Sequence, residues 1–293
     1  RHTRYPLVTG VQTCALPILM LSLAKAHAYG NDFLFVPAEQ SERYRRDELS
    51  RRLCSRHTGV GGDGVIYYTI APDGTAQMKL INADGSPSEL SGNGLRCLAA
   101  LVLFRRELAR LPVLSAVRVD TDAGWKTLSL SSRQGARYTF RAAMGQPERI
   151  AQESITAAGE NLTVTTLAVG NPQCVVLMPE LPDLARFHRL GPALSTHPRF
   201  TEGTNVEFAS VESPDRVRIL IWERGVGPTH ASGTGACASA IAAASHGGAA
   251  RDVEVIAPGG TQRVEWREDG VFLTGWAEVV FDGHWIDSSA DLA

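Results

Sequence analysis

The sequence has 293 residues, of which 44% are hydrophobic and 20% charged, with a net charge of −2 at pH 7. This length is enough for two domains with ordinary cores, and the composition is typical of a soluble globular protein. The near-neutral charge gives no reason to expect nucleic acid or an anionic membrane as a partner. No apolar run reaches the roughly 18 residues of a membrane span.

The cysteines are scattered, odd in number and without a CxxC pair. This pattern argues against a disulfide framework and against a zinc site built from thiolates, so we expect no metal. A reducing cytoplasm is the simplest location. The five cysteines are Cys14, Cys54, Cys97, Cys174 and Cys237.

Residues 1–19 differ from the rest of the chain. They read RHTRYPLVTGVQTCALPIL, with no starting methionine and no sustained period of 2 or 3.6 residues. Basic residues before a semi-apolar stretch suggest a signal peptide, but Thr9, Gly10 and Pro17 interrupt the apolar core that a signal needs. The stretch resembles translated sequencing-adaptor read-through. We interpret it as a non-native extension and expect the natural start at Met20.

The sequence pattern in the first half of the remaining chain predicts a lobe of strands and helices. Apolar spacing and glycine stops mark each element. In chain order we predict a strand across Leu23–Val36 that is interrupted at Gly30-Asn31-Asp32, a helix within Ser41–Arg56, a strand at Gln77–Ile81, a buried helix at Leu95–Leu108 and alternating strands within Val117–Met144.

The second half predicts a similar series of elements. Its glycine pairs mark turns between closing strands. In chain order we predict a strand through Leu167–Met178, a helical region from Leu181, a strand at Val217–Trp222, an alanine-rich helix at Ala236–Ser245 and later turns at Gly259-Gly260 and Asp269-Gly270.

Three short motifs recur in the same order at an offset of 140 or 141 residues. Such a recurrence indicates a duplicated unit. We therefore predict an α+β fold of two similar lobes related by a pseudo-twofold axis: residues 20–142, residues 143–279, and a C-terminal strand and tail at 280–293. The matching motifs are Gly30-Asn31 with Gly170-Asn171, Asp84-Gly85 with Arg224-Gly225, and Ser91-Gly92-Asn93-Gly94 with Ser232-Gly233-Thr234-Gly235.

The two Ser-Gly-x-Gly loops each lead into an apolar helix. Glycine lets the backbone approach a ligand closely, and the first N–H groups of each helix face the loop together with the positive end of its dipole. Two such ends facing each other across a lobe interface would bind a carboxylate and the negative charge growing on its α-carbon. Alternatively, Ser91 and Ser232 are simply N-caps. Because the loops recur as a pair, we favour a site in the cleft between the lobes.

Several blocks of the sequence resemble the diaminopimelate epimerase family. Their order along the chain, from about Met20 to about Asp282, is the family order. The N-terminal signature is Asn82-Ala83-Asp84-Gly85-Ser86 followed by Ser91-Gly92-Asn93-Gly94-Leu95-Arg96-Cys97, and the C-terminal one is Trp222-Glu223-Arg224-Gly225 followed by Ser232-Gly233-Thr234-Gly235-Ala236-Cys237. Further blocks are His27–Phe33, Gly59–Gly64, Gly170-Asn171-Pro172, Thr204–Phe208 and Pro258-Gly259-Gly260.

The resemblance implies inversion of one stereocentre of a free diamino diacid, without pyridoxal phosphate or another cofactor. In the family two cysteines on opposite faces of the α-carbon exchange a proton with it, and these positions correspond to Ser91 and Ser232. Backbone N–H groups of Gly92-Asn93 and Gly233-Thr234 would hold the α-carboxylate. The family's other substrate contacts correspond to Asn31, Asn82, Asn171, Asn205, Glu223 and Arg224. A homodimer is expected by analogy.

Both thiol positions, however, are hydroxyls in this chain. Gln173 also stands where the family usually has a histidine, and an amide cannot act as a base. A serine hydroxyl is a weak nucleophile or base until another group activates it. If the acidity gap is roughly 5 units, ionising serine costs about 7 kcal/mol more at 1.36 kcal/mol per unit, which is about five powers of ten in rate. We predict that Cys97 and Cys237 are core residues that cannot substitute.

Four interpretations follow from these departures. The chain is a diaminopimelate epimerase whose serines still work, or work slowly, which is our leading interpretation. It is a relative that isomerises or dehydrates another, more acidic substrate. It is a catalytically silent diacid-binding module or partner subunit. Or its cysteines were deliberately replaced to trap substrate.

Overall fold

The computed structural model describes residues 19–88 and 91–287. Most of the predicted N-terminal extension and the last six residues of the predicted tail lie outside this part of the chain. The first lobe alternates strands with two helices: β1 Leu19–Ala28, β2 Asn31–Pro37, α1 Arg46–Cys54, β3 Gly64–Ile70, β4 Ala76–Asn82, β5 Pro87–Ser88, α2 Gly92–Leu108, β6 Ala116–Asp120, β7 Lys126–Gln134 and β8 Arg137–Gly145.

The second lobe repeats this order after one additional strand. Its elements are β9 Glu148–Ala157, β10 Glu160–Val169, β11 Asn171–Leu177, α3 Leu184–Ser195, β12 Asn205–Ser213, β13 Arg216–Glu223, β14 Gly227–Thr229, α4 Gly233–His246, β15 Asp252–Ala257, β16 Gly260–Arg267 and β17 Gly270–Asp287.

Strand pairing is the same in both lobes. The first strand of each repeat is antiparallel to the second, and the second is parallel to the third (β1–β2–β3 and β10–β11–β12). The fourth strand is antiparallel to the third and pairs in parallel with the strand that follows the long helix (β4–β6 and β13–β15). The sequence repeat is therefore a repeat of topology, and the predicted two-lobed α+β fold is confirmed.

The last strand of each lobe also pairs with strands of the other lobe. β17 pairs with β8 from Val271 to Glu278 and then continues along β1 as far as Asp287. Likewise β8 is followed after two residues by β9, which pairs with β10 of the second lobe. The predicted boundaries after residues 142 and 279 fall inside β8 and β17, which pair with both lobes; the boundaries themselves stay predictions.

The helices that carry the Ser-Gly-x-Gly loops lie inside their lobes. Leu98–Leu103 of α2 are buried among the strands of the first lobe, and most of α4 is buried in the second, where its alanines allow the strands to approach closely. A helix that is apolar all round is a core helix. Cys97 and Cys237 are fully buried on these helices, as predicted. Burial raises the pKa of the Cys237 thiol to about 12.

Several predicted element bounds were wrong in informative ways. Both core helices begin three residues earlier than predicted, at Gly92 and Gly233, because a serine caps each first turn. The predicted strand Leu167–Met178 is two antiparallel strands, which meet at Gly170 with φ of 77°. In the part of the chain that the structure describes, no helix has the length and apolar character needed to cross a bilayer.

Candidate active site

The two serines have nearly identical backbone geometry. Ser91 has φ −123° and ψ 122°, and Ser232 has φ −134° and ψ 130°. Each hydroxyl accepts a hydrogen bond from the N–H three residues later, at 3.1 Å from Gly94 and 3.2 Å from Gly235. Both serines are therefore N-caps, as the alternative interpretation expected. The earlier N–H groups of each first turn have no acceptor within the helix and remain for a ligand.

The two helix starts meet at the junction of the lobes. The Asn93 amide nitrogen on α2 donates to the Asn31 side-chain oxygen at 3.1 Å and to the Ala231 carbonyl at 3.3 Å. Ala231 directly precedes Ser232, so a side chain of the first lobe is bonded to the loop of the second. The structure thus brings the two Ser-Gly-x-Gly loops together. The free N–H groups at the starts of both helices therefore lie near one another, and such groups are suited to bind an anion.

Ser232 lies in a polar, buried environment. Its hydroxyl is 3.4 Å from that of Thr234, and the Glu223 carboxyl lies close by at the end of β13. Burial raises the pKa of Glu223, and the interaction with Ser232 acts in the opposite direction. A carboxylate close to a hydroxyl, with its pKa raised above the usual value, is a candidate general base for that hydroxyl.

A second buried acid lies beneath the first turn of α4. Glu207 on β12 is 0% exposed, and burial, assisted by the nearby Glu223 charge, raises its pKa well above the usual value. The Gln173 amide fits with its nitrogen towards Glu207, donating to the two carboxyl oxygens at 3.0 and 3.2 Å. Its oxygen then accepts from Asn205 and Thr234 at 3.2 and 3.1 Å. Gln173 therefore links the acid to the loop of Ser232.

The equivalent place in the first lobe is apolar. A Cβ built on Gly235 would lie 2.6 Å from the Glu207 carboxyl oxygen, whereas one built on the matching Gly94 would lie 2.9 Å from the Ile66 methyl. Phe33, also near Gly94, matches Gln173 in the repeat. The two lobes thus present similar backbones with different chemistry: an acid and an amide behind Ser232, and hydrocarbon behind Ser91.

The remaining predicted substrate contacts lie at the ends of strands around this junction. The Asn31 amide donates to Asp63 at 2.7 Å, and the Asn205 oxygen accepts from the backbone N–H of Arg224 at 2.9 Å. The Asn171 side chain is 2.5 Å from the Gln173 amide. The Asn82 amide at the end of β4 donates to Ser86 at 3.0 Å, and among the described residues it forms no side-chain hydrogen bond with the other predicted contacts. Their role as substrate contacts stays a prediction.

Sequence reasoning missed two buried polar residues at this junction. Glu207 stands within a matching block and Arg96 within a signature, but the motifs assign a role to neither residue. A charged residue at an inward position of an apolar strand, as in Asn205-Val206-Glu207-Phe208, was the available signal for Glu207, since unpaired carboxylates are rarely buried. Arg96 had a similar signal, because it begins the apolar face of a core helix.

Comparison with known proteins decides the family. The family model described as diaminopimelate epimerase matches residues 23–150 and 165–280. This chain belongs to the diaminopimelate epimerase family. The diaminopimelate epimerase of Desulfitobacterium hafniense is 38% identical, with 90% of this chain and 97% of that protein covered. The one of Desulforudis audaxviator is 39% identical, with 91% and 99% covered. The resemblance predicted from the motifs is confirmed.

Solved structures of lower identity share the fold. A hydroxyproline epimerase from Agrobacterium vitis, with bound trans-4-hydroxy-L-proline, matches with a TM-score of 0.65 at 17% identity, covering 91% of each chain. A phenazine biosynthesis protein of the PhzF family from Bacillus anthracis matches with a TM-score of 0.64 at 13% identity, covering 92% of this chain and all of that one. At these identities the likeness establishes the fold of the diaminopimelate epimerase family and nothing about substrate.

The buried Glu207 makes a testable contribution to stability. Because its folded-state pKa lies above the unfolded value, its contribution is fully present below the unfolded pKa and is lost as pH rises through the folded pKa. Glu207→Gln keeps the shape and never ionises. We therefore expect the Tm of the variant, measured relative to the wild type, to increase by several degrees as pH rises above about 5. The conversion is about 2–4 °C of Tm per kcal/mol for a protein of this size. Thermal unfolding across that range measures it.

Glu254→Gln on β15, an exposed carboxylate, is the matched control and should keep a constant Tm difference from the wild type. A constant difference for Glu207→Gln as well would mean that Glu207 does not change its charge on folding.

Proposed function

We propose that this protein interconverts LL- and meso-diaminopimelate by two-base proton transfer at the α-carbon. The observation that carries the proposal is the pair of serine-capped helix starts, equal in backbone geometry and joined across the lobes by Asn93. Membership of the diaminopimelate epimerase family, with relatives of that name covered over nearly their full length, supports the substrate.

Binding of the reacting end of the substrate follows from the helix starts. The N–H groups of Gly92, Asn93, Gly233 and Thr234 would hold the α-carboxylate, and the same groups stabilise the enediolate that forms when the α-proton leaves. Because the donors are fixed by two buried helices, they need no reorganisation during the reaction. Asn31, Asn82, Asn171, Asn205 and Arg224 would bind the other polar groups of the diacid.

Proton removal is best supported on the Ser232 face. Glu223 takes the hydroxyl proton, and the Ser232 alkoxide takes the α-proton. The hydrogen bond from Gly235 N–H and the positive end of the α4 dipole stabilise the alkoxide. Ser91 gives its proton to the opposite face of the α-carbon and is stabilised in the same way by Gly94 N–H and α2. The reverse reaction runs these steps backward: the Ser91 alkoxide takes the α-proton, Ser232 gives its proton to the other face, and Glu223 returns a proton to Ser232. Between turnovers in one direction, solvent reprotonates Ser91 and takes the proton from Glu223.

A second candidate is a diacid-binding protein that does not catalyse epimerisation. The apolar side chains behind Ser91 favour it, because Ile66 and Phe33 supply no base for that hydroxyl. Such a protein would use the same N–H groups and amides to bind diaminopimelate. It would leave the α-proton in place.

Exchange of the α-proton in heavy water separates the two candidates. Incubating purified protein with meso- and LL-diaminopimelate in D₂O should give deuterium at the α-carbon, detected by NMR or mass spectrometry. We expect Ser91→Ala to abolish inversion and Ser232→Ala to lower exchange by about 10²–10⁴, as for loss of a general base. Ser239→Ala, also buried on α4 but away from the site, should exchange as the wild type does.

Tight binding of diaminopimelate without exchange at high protein concentration would establish the silent protein. Absence of binding would refute both candidates. Exchange that survives Ser232→Ala would show that another group removes the proton.

Other properties stay proposals that rest on weaker support. We place the protein in the cytoplasm, supported by four free, buried cysteines among the described residues. A homodimer is supported by apolar side chains exposed at the paired ends of β1 and β17, such as Met20 and Ile286. Independence from metal and organic cofactors stays a prediction of the family resemblance.

A further inference from the structure

Arg96 is a buried cation without a carboxylate partner in the described ranges 19–88 and 91–287. It is 3% exposed, lies on the first turns of α2 and makes no ion pair there. Its Nε atom is buried without a hydrogen-bond partner. A buried charge is costly unless it is paired. Its placement therefore needs a reason other than stability.

The guanidinium contacts the loops of both lobes. One of its nitrogens donates to the Asn93 side-chain oxygen on α2. The Gln262 amide of β16 fits with its oxygen towards Arg96, where it accepts a hydrogen bond from Nη2 at 3.0 Å. The Gln262 nitrogen then donates to the Ser232 carbonyl at 3.2 Å. Arg96 thus touches Asn93 in the first lobe and, through Gln262, the residue that caps α4 in the second.

The charge also lies close to the backbone that would hold the substrate. A Cβ built on Gly233 would be 3.8 Å from Arg96 Nη1, and one built on Gly275 would be 3.4 Å from its central carbon. The Tyr29 ring, 5.9 Å from that carbon, covers another side. Glycine at both positions leaves the guanidinium directly behind the first turn of α4. In such a dry setting a fixed charge acts strongly over several ångströms.

We propose that Arg96 is the fixed positive counter-charge of the site, which offsets the substrate's α-carboxylate and the enediolate formed from it, acting through the starts of α2 and α4. The inference deepens the proposed function and rests on it for the identity of the ligand. Arg96 does not touch the substrate and is a positioning residue. Because the enediolate carries more negative charge than the carboxylate, the effect of Arg96 on turnover should exceed its effect on binding.

Binding and exchange are measured in three variants. Arg96→Met keeps bulk and removes charge, and Arg96→Lys keeps charge. Arg105→Met is the matched control, since Arg105 is on the same helix and already has the Asp282 carboxylate at 2.8 Å. By calorimetry with meso-diaminopimelate, we expect Arg96→Met to raise Kd about tenfold or more and Arg96→Lys to stay within about threefold. Exchange in D₂O should fall about 10²–10³-fold in Arg96→Met.

A merely structural role gives a different pattern. If Arg96 only ties Asn93 to Gln262, the lysine and methionine variants lose binding and turnover equally, which would overturn the proposal. Wild-type binding and exchange in Arg96→Met would also overturn it. Wild-type protein that binds without exchange refutes the epimerase function, and the Kd values alone then decide the role of Arg96.

Sulfate provides a readout that does not need the diacid. Ligands of the native state raise Tm, so sulfate at equal ionic strength to chloride should stabilise the wild type, Arg96→Lys and Arg105→Met. We expect less than half of that rise in Arg96→Met. An equal rise would overturn the proposal even if diaminopimelate does not bind. A wild type that responds to neither ligand contradicts an anion site at these helix starts and overturns both proposals.

Discussion

Replacing both serines by cysteine, in the double variant Ser91→Cys/Ser232→Cys, is expected to raise α-proton exchange of diaminopimelate by about four to five powers of ten. The backbone needs no change, because both side chains cap their helices and cysteine differs by one atom. The gain comes from acidity. A gap of roughly 5 units is worth about 7 kcal/mol at 1.36 kcal/mol per unit, and each such unit is tenfold in rate. The hydrogen bonds from Gly94 and Gly235 already stabilise part of the charge on oxygen.

The single variants Ser91→Cys and Ser232→Cys test whether both side chains transfer a proton to or from the α-carbon. Inversion needs an acid on one face and a base on the other, so each single cysteine should recover only part of the gain. Ser239→Cys, on the same helix as Ser232 but buried away from the site, should leave exchange unchanged. A double variant that is no faster than the wild type would exclude proton transfer by these two residues.

The repeat in the sequence was sufficient to predict the two-lobed fold. Its motifs mark backbone turns: Gly30 and Gly170 have positive φ, and the two Ser-Gly-x-Gly segments form capped helix starts. Turns and caps depend on a few neighbouring residues, so they can be recognised locally. For the same reason the sequence predicted which two helices would begin with a serine-capped glycine turn.

The pairing of strands between the lobes could not be predicted in this way. β17 pairs with β1, more than 250 residues earlier in the chain, and the apolar alternation of β17 is the same whichever neighbour it has. A strand's own sequence does not specify which strand it pairs with, because the hydrogen bonds between paired strands are made by backbone groups. The hydrogen bond from Asn93 to the Ala231 carbonyl is a further long-range contact between the lobes.

The chemistry behind the serines was also beyond local reasoning. Gly235 packs against Glu207, and Gly94 against Ile66, although the two glycines are equivalent in the repeat. These contacts join residues that lie about 28 positions apart in each lobe. The sequence showed an acid at 207 and a departure at 173, but only the fold places Glu207 and Gln173 together under the loop of Ser232. Duplicated backbones can therefore carry unequal sites.

Glu223→Gln is expected to lower α-proton exchange by about 10²–10⁴, the usual cost of losing a general base. Glutamine keeps the shape of the side chain, but it cannot take the hydroxyl proton. If Glu223 only bound the substrate, the variant would mainly raise KM. We expect kcat to fall instead, measured as the rate of deuterium incorporation at saturating diaminopimelate.

The pH profile separates a base from a structural carboxylate at this position. Burial raises the pKa of Glu223, so the ionised base appears only as pH rises through a value above that of an ordinary glutamate. Exchange by the wild type should rise with pH over that interval and then level off, and this rise should be missing in Glu223→Gln. Glu212→Gln, an exposed carboxylate on β12, is the matched control and should keep the wild-type profile. The same pH rise in Glu223→Gln would assign the base to another residue, and the buried Glu207, which interacts with Glu223, would be tested next.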